Sequence, residues 1–395
     1  MTNFSSANLK PRIMNSSKPN LVNVLYAVLI LLIPLGQFGR FQLGSNLAVY
    51  YHDLLIPFLV LFWLIAHLKL HLPFILPRFW AWLPAFGLAA LISIVLSTAN
   101  SADQFTSLLY LIRWLNLALL FPVTYDLLRH RLLTLNLEKF LLLAALIVAV
   151  AGLLQYTLIP DTRSLFLLGW DDHYNRLIAT LFDPSFTGAI LIFGLILVWK
   201  TKAHPLLEAL LLVSLALTYS RASYLTLAVV LVLNFCLVKN RLHTLLLGFL
   251  FTTLMLLLPT NLGEGTNLAR SNSVTSRLES SQSALSNFRD HALTGSGFYS
   301  LPTKLAPRPG IVSHTSAPDN SYLLLLSTTG LIGFLVYFYF HLRIFHCSLR
   351  HRALFLTLAA LSLHALFNNT LFYPFISIWI WLLLANSFSG GTKQS

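Results

Sequence analysis

The sequence predicts an all-α, polytopic integral membrane protein of about twelve transmembrane helices. Three observations predict it. First, 56% of the residues are apolar and only 10% are charged. A soluble domain carries about a quarter charged residues. There is too little charge here to coat a 395-residue globule, so the missing solvent surface must be lipid surface. Second, apolar runs near the length of a bilayer span recur along the whole chain. Third, the basic residues fall in short clusters between those runs.

A span needs about 20 apolar residues. The runs lie at roughly 20–38, 47–66, 79–98, 104–128, 140–159, 177–199, 205–219, 222–238, 243–259, 319–342, 353–369 and 372–388. Lys10, Arg12 and Lys18 precede the first run. Lys69 and Arg78 follow the second, and Arg129, Arg131 and Lys139 follow the fourth. Lys200 and Lys202 follow the sixth, and Lys239 and Arg241 the eighth. Arg343, Arg350 and Arg352 follow the tenth, and Lys393 stands near the end. All of them share one side if 205–219 and 222–238 are two separate spans. The positive-inside rule makes that side cytoplasmic, with both termini there. No small-residue cleavage site follows the first run, so it reads as an uncleaved helix.

This layout divides the chain into a cytoplasmic tail (1–19), helices 1–9 (20–259), a large outer loop (260–318), helices 10–12 (319–388) and a second tail (389–395). The outer loop is rich in Ser, Asn, Thr, Gly and Pro. Within it, Val274 to Phe288 carries Leu278, Leu285 and Phe288 at helical spacing, which predicts a helix lying over the membrane. Cys236 and Cys347 both fall near cytoplasmic helix ends, so a disulfide in the outer loop is excluded. The net charge of +13 does not imply nucleic acid, because its distribution is the one that orients a membrane protein.

Charge inside a span is expensive and therefore informative. Arg221 follows Tyr219-Ser220 after a run that reaches only about 22 Å as a helix, short of a hydrocarbon core about 30 Å thick. Its turn is expected below the outer interface, lining a cavity; the alternative is an arginine snorkelling to headgroups. Arg176 opens the sixth span, with Asp183-Pro184 about two turns deeper, as either a site or a kink with a structural ion pair. Arg113 in the fourth span is placed to pair with Asp53. Outer and intramembrane positive charge is nearly all arginine: Arg40, Arg113, Arg163, Arg176, Arg221, Arg270, Arg277, Arg289 and Arg308, with Lys304 the exception. Arginine stays charged in low dielectric and grips phosphate with a planar fork, so this set suits a phosphate-bearing anion. Asp171-Asp172-His173 is a conceivable divalent-metal cluster, but solvated loop charge explains it, and neither metal nor cofactor is expected.

An ordered set of short motifs carries a family resemblance. Phe182-Asp183-Pro184 comes first, then Ser220-Arg221-Ala222, then Arg277. His291-Ala292-Leu293-Thr294-Gly295-Ser296-Gly297-Phe298 follows, then Asp319-Asn320-Ser321-Tyr322 and Gly330-Leu331-Ile332-Gly333. On this layout they resemble the O-antigen ligase and polymerase superfamily of bacterial envelope proteins, from about 170 to 340 by motif and elsewhere by topology. The resemblance implies a metal-independent, inverting glycosyltransferase of the cytoplasmic (inner) membrane with its site on the periplasmic or exterior face. The donor would be a glycan on undecaprenyl diphosphate and the acceptor a lipid (as in lipopolysaccharide), another glycan or a protein. Arg221 and Arg277 would bind the diphosphate, with Arg289 a rival for the second role and Arg176 a further candidate. Gly295 and Gly297 would shape the turn that returns the loop to the membrane. Ligases usually carry a histidine before the asparagine; here Asp319 stands there, ahead of Asn320. Asp319 or His314 would then be the base, with Asp183, Asn320 and Tyr322 in support. A lipid-linked glycan flippase or other transporter is the non-enzyme alternative.

Overall fold

The computed structural model describes residues 20–42, 48–77, 79–239, 241–260, 262–268, 272–300 and 318–390. His314, Arg270, Lys304, Arg308, Arg78 and residues 1–19 and 391–395 lie outside them. The described chain is mainly helical, with almost no strand. In order it forms α1 (Leu21–Leu35), a ribbon of β1 (Arg40–Gln42) and β2 (Ala48–Tyr50), α2 (Tyr51–Leu70), α3 (Trp82–Val95), α4 (Ser101–Ala118) and α5 (Leu120–Arg129). Then come α6 (Leu137–Leu158), α7 (Pro184–Thr201), α8 (Pro205–Ala216), α9 (Arg221–Leu237) and α10 (Arg241–Leu257). The last elements are α11 (Asn272–Asp290), α12 (Ser321–Ser348), α13 (Arg352–His364) and α14 (Pro374–Phe388).

Among the described residues, six segments are long and apolar enough to cross a membrane: Leu21–Gly39, Tyr51–Leu70, Ser101–Arg129, Leu137–Leu158, Pro184–Thr201 and Ser321–Ser348. Shorter apolar helices stand where the other expected spans were placed: Trp82–Val95, Pro205–Ala216, Arg221–Leu237, Arg241–Leu257, Arg352–His364 and Pro374–Phe388. The antiparallel ribbon, which pairs Arg40 with Tyr50, was not foreseen. It shifts the start of α2 to Tyr51. The expected helix around Val274–Phe288 is present as α11, packed along α12.

Polar contacts gather at two opposite ends of the bundle. At one end, Asn20 Nδ2 donates to the Leu132 carbonyl at 2.7 Å and Asn23 Nδ2 to Thr134 Oγ1 at 2.8 Å. There too, Asn386 reaches Glu138 at 2.7 Å, Arg352 reaches Asn234 at 2.9 Å and His243 reaches Glu208 at 3.1 Å. At the other end Gln37 meets Tyr373 at 3.1 Å, Tyr219 donates to the Pro259 carbonyl at 2.9 Å and Asn369 donates to Tyr299 at 3.1 Å. The first set joins loops that alternation places together with the basic clusters; the second joins the loops on the opposite side. Arg113 pairs with Asp53 in this second region, Nη2 to Oδ2 at 2.8 Å, as its position suggested.

At the centre stands α7, buried from Pro184 through Val198 except for the half-buried Phe186. It packs closely on α6 because small residues face each other: a side chain at Gly194 would lie 2.6 Å from the Ala145 methyl. One expectation is corrected here. The sixth span does not begin at 177, and Asp183 is not two turns inside it. Residues 177–183 run as irregular chain with a short 3-10 turn, and Ala179 and Phe182 take positive φ. The helix begins at Pro184. Proline is favourable in a first turn, where its missing N–H would be unbonded anyway, so Pro184 starts the helix rather than loosening it.

A second departure lies in α12, which the sequence presents as one continuous span. It is broken at Gly330, with φ 64° and ψ −169°. The segment 292–300 fills the break. Leu331 N donates to the Ala292 carbonyl at 2.8 Å and Gly297 N to the Thr328 carbonyl at 3.1 Å. Ser93 on α3 donates to the Thr328 carbonyl at 2.5 Å, and Asn287 on α11 to the Ser327 carbonyl at 2.9 Å. Backbone groups freed at a helix break in an apolar bundle need such partners. Gly295 and Gly330 meet backbone to backbone. A Cβ on Gly330 would sit 2.3 Å from the Leu293 carbonyl oxygen, and one on Gly295 2.3 Å from that of Thr328. Gly330→Ala should therefore cost about 1–3 kcal/mol from backbone strain alone, read as a lower thermal midpoint in detergent. Gly248→Ala, inside α10 with its nearest neighbour at 3.9 Å, is the control and should be neutral or slightly stabilising. Equal midpoints for the two variants would refute the locked break.

Candidate active site

Three helices begin at the same end of the bundle, and each is capped by a side chain. Asp183 Oδ1 accepts from the Ser185 and Phe186 amides at 2.6 and 2.8 Å and caps α7. Ser220 Oγ accepts from the Ser223 amide at 3.3 Å and caps α9. Asn320 Oδ1 accepts from the Tyr322 and Leu323 amides at 2.9 and 3.1 Å and caps α12. These residue types recur at helix starts because a short polar side chain satisfies amides that have no partner within the helix. The caps are linked. Ser220 Oγ lies 3.3 Å from Ser185 Oγ, and Ser223 Oγ lies 3.3 Å from the Ser185 carbonyl. The N-terminal dipoles of these helices therefore favour negative charge at this end.

Arg176 builds the turn that carries Arg221. Its side chain is buried, its Nε donates to the Thr218 carbonyl at 3.0 Å and its Nη2 to that of Tyr219 at 3.3 Å. Leu177 N adds a bond to the Leu217 carbonyl at 2.8 Å. Tyr219 takes φ 50°, a strained value for a tyrosine that the Arg176 bonds and its own bond to Pro259 hold in place. The helix before the turn, α8, is even shorter than its apolar run. Arg221 is the first residue of α9, half-buried, with Nη1 donating to the Leu268 carbonyl at 3.3 Å.

The second arginine comes from the outer loop. Arg277 on α11 places Nε 3.2 Å from Asp319 Oδ2 and Nη2 3.4 Å from Asn368 Oδ1. About a third of each of the Arg277 and Asp319 side chains remains exposed (32% and 34%), so this ion pair is open to a ligand. Asn368 leads inward to a buried histidine. Its Nδ2 lies 3.4 Å from His364 Nε2, and His364 Nδ1 lies 2.6 Å from Thr370 Oγ1. His364 Nε2 also lies 3.4 Å from Ser223 Oγ, which closes a path of polar contacts from α9 to Arg277. His364 and Asn368 were missed in the sequence. A histidine in an apolar span was the available signal, obscured by thirteen histidines spread along the chain.

The charges act on one another here. The Arg277 guanidinium is felt by Arg221, Asp183 and Asp319, and Asp319 also feels Asp183. Asp319 precedes α12 and lies outside the span. Burial pushes its carboxyl above the usual range, Arg277 pulls it down, and the charge on Asp183 adds to the rise; the net direction is upward.

The structure thus brings together Arg221, Arg277, Asp319, Asp183 and Asn320. Arg176 stands behind them with its guanidinium on backbone carbonyls. Tyr322 turns toward α13, donating to the Ser362 carbonyl at 3.2 Å. Arg289 is exposed in the last turn of α11, twelve residues beyond Arg277, which is about 18 Å along a helix. Among the described residues, Asp171, Asp172 and His173 do not converge: the two aspartates are exposed and the histidine is buried.

Residues 206–338 match the family model described as O-antigen ligase. That stretch runs from α8 into α12 and contains Arg221, Arg277, Arg289, His314 and Asp319; Arg176, Asp183, His364 and Asn368 lie outside it. No curated protein matches the chain. The match falls on the part of the fold that holds both site arginines and the aspartate, and it likens that part of this multi-pass membrane protein to the O-antigen ligases.

Proposed function

We propose that the protein transfers a glycan from an undecaprenyl-diphosphate carrier to an acceptor hydroxyl, on the outer face of the bacterial cytoplasmic membrane. The observation that carries this reading is the pair Arg221 and Arg277. Two guanidiniums from separate elements stand within electrostatic reach of one another, beside one accessible carboxylate and three helix N-termini. A doubly charged anion relieves their repulsion, and arginine's planar fork suits a diphosphate. In this reading the twelve apolar segments all cross the bilayer, with both termini in the cytoplasm and residues 260–318 forming the outer loop.

The chemistry follows from charge. As the bond between the anomeric carbon and the diphosphate oxygen breaks, negative charge grows on that oxygen. Preorganised arginines stabilise it in a site poor in water. The acceptor oxygen attacks the anomeric carbon from the opposite face and gives its proton to Asp319, which inverts the transferred sugar. No metal is needed, because the guanidiniums neutralise the leaving group. The raised pKa of Asp319 makes it a better base than an ordinary aspartate. Arg176 and Asp183 serve as positioning residues: one fixes the turn that carries Arg221, the other the start of α7. Arg277 is preferred to Arg289 by its distance from Asp319. The aspartate fits the polymerase-type members of the family better than a lipopolysaccharide ligase.

The test is a reconstituted assay with purified protein, a lipid-diphosphate-linked oligosaccharide, chelator and mass analysis of every product. A longer glycan on the lipid identifies a polymerase, and transfer to an added acceptor identifies a ligase. Movement of lipid-linked glycan with no covalent product would replace this reading with a transporter. Arg221→Ala and Arg277→Ala should each lower turnover by about 10²–10³-fold while leaving the thermal midpoint near wild type. Arg221→Lys should recover little of the loss, because a point charge lacks the fork. Arg176→Ala should instead lower the midpoint, since buried carbonyls lose their donors. Wild-type transfer by either site variant would refute the diphosphate clamp.

The pH profile tests the base. Asp319 acts when ionised, so kcat/KM should fall on the acid side, with its limb above the ordinary aspartate value of about 4. Asp319→Asn should remove the activity. Full activity in that variant, with an acid limb lost in His314→Gln, would transfer the role to His314.

A further inference from the structure

We propose a divalent transition-metal site, zinc by its donor set, formed by His67, Asp126 and His130 at the end of the bundle opposite the active site. The three come from the last turns of α2 and α5 and the residue just after α5. Their ligating atoms all lie within 4.8 Å of one another. His67 Nε2 is 3.0 Å from Asp126 Oδ2, and His130 Nε2 is 3.6 Å from Asp126 Oδ1. Two imidazoles and a carboxylate are a common zinc donor set with a fourth position open.

Three observations distinguish this cluster from a simple ion pair. First, the Asp126 side chain is fully buried, and a buried carboxylate needs a compensating cation. Asp126 is paired with these two histidines. Second, His67 Nδ1 lies 3.0 Å from the Trp63 carbonyl, which can only accept. That bond places the ring proton on Nδ1 and leaves Nε2 to ligate, the usual outer-shell arrangement at metal sites. Third, His67 is buried and its Nε2 has no hydrogen-bond partner: the approach to Oδ2 is close but not aligned for a hydrogen bond. A protonated imidazole would turn that N–H onto the carboxylate; a metal takes the lone pair instead.

The surroundings are built for the cluster. Trp63 Nε1 donates to Asp126 Oδ2 at 2.8 Å and the Ile75 amide to Oδ1 at 2.6 Å, which orients the carboxylate. Phe74 stacks on the His67 ring, centroids 4.4 Å apart. His130 Nε2 also lies 2.9 Å from the Pro73 carbonyl, so ligation must displace that bond, which makes His130 the weaker of the two imidazole ligands. The bound ion would fasten α2, the loop 72–77 and α5 together. The site is independent of the proposed transfer reaction.

The experiment uses tag-free, full-length protein in detergent, stripped with chelator and titrated calorimetrically with Zn2+, with metal content measured after dialysis. One zinc per chain is expected, with a thermal midpoint that rises on loading and returns with chelator. His67→Gln should weaken binding by more than tenfold, and His130→Gln, at a half-buried position, by less. Cys236→Ser/Cys347→Ser should bind as wild type, because both thiols are elsewhere. Absence of saturable binding, unchanged affinity in both histidine variants, or loss of binding in the cysteine variant would each overturn the site. Should His67→Gln fail to fold, wild-type affinity in His130→Gln alone would suffice to reject it.

Discussion

Every polar group at membrane depth in this protein must find a partner inside the protein, and the architecture of the active end follows from that constraint. The helices there are short, broken or irregular at their starts, so they release amides and carbonyls among packed helices, where other protein groups must satisfy them. Arg176 takes up the carbonyls of the α8–α9 turn. Asp183, Ser220 and Asn320 take up the amides of α7, α9 and α12. Ser93, Asn287 and the 292–300 segment take up the groups freed at Gly330. What satisfies the backbone also fixes where the charged side chains stand.

The two arginines of the site are held by different means. Arg221 is the first residue of a helix whose start is pinned from below by a buried guanidinium. Arg277 arrives on α11, an element outside the bundle that is tied to α12 through Asp319 and Asn287. One arginine is therefore rigid with the core, while the other depends on how the outer loop docks. The 292–300 segment wedged into the α12 break anchors that loop at its return to the bundle. In the proposed function the docking of that loop is what would complete the anion site.

Much of the site was legible as residue types out of place. Arg221 and Asp183 stood out because charge beside or within apolar runs is costly, and the shortness of 205–219 indicated a turn near Arg221; Asp319 was singled out only through the family resemblance. The connection from Asn368 through His364 to Ser223 was not legible, because it joins α9, α13 and the turn after α13 across long sequence separations. Nor could sequence decide between Arg277 and Arg289. Both lie on one helix, and only packing shows which end of that helix faces Asp319. The offset of α7 was missed for a related reason. Residues 177–183 are apolar enough to read as helix, yet bonds to Gln155 and to the α8–α9 turn hold them irregular.

By itself the sequence determined the membrane class, the positions of the apolar segments and the grouping of their ends. These depend on hydropathy and charge distribution, which are summed over many residues and tolerate local error. It also determined which short motifs carry the family resemblance. The tertiary structure alone decided that α12 is broken and filled by the returning loop, that Arg176 supports a turn, and that Arg277 is the arginine facing Asp319. It alone brought His67, Asp126 and His130 together. Each of these is set by one or two contacts between residues far apart in the chain, and local composition carries no information about such contacts.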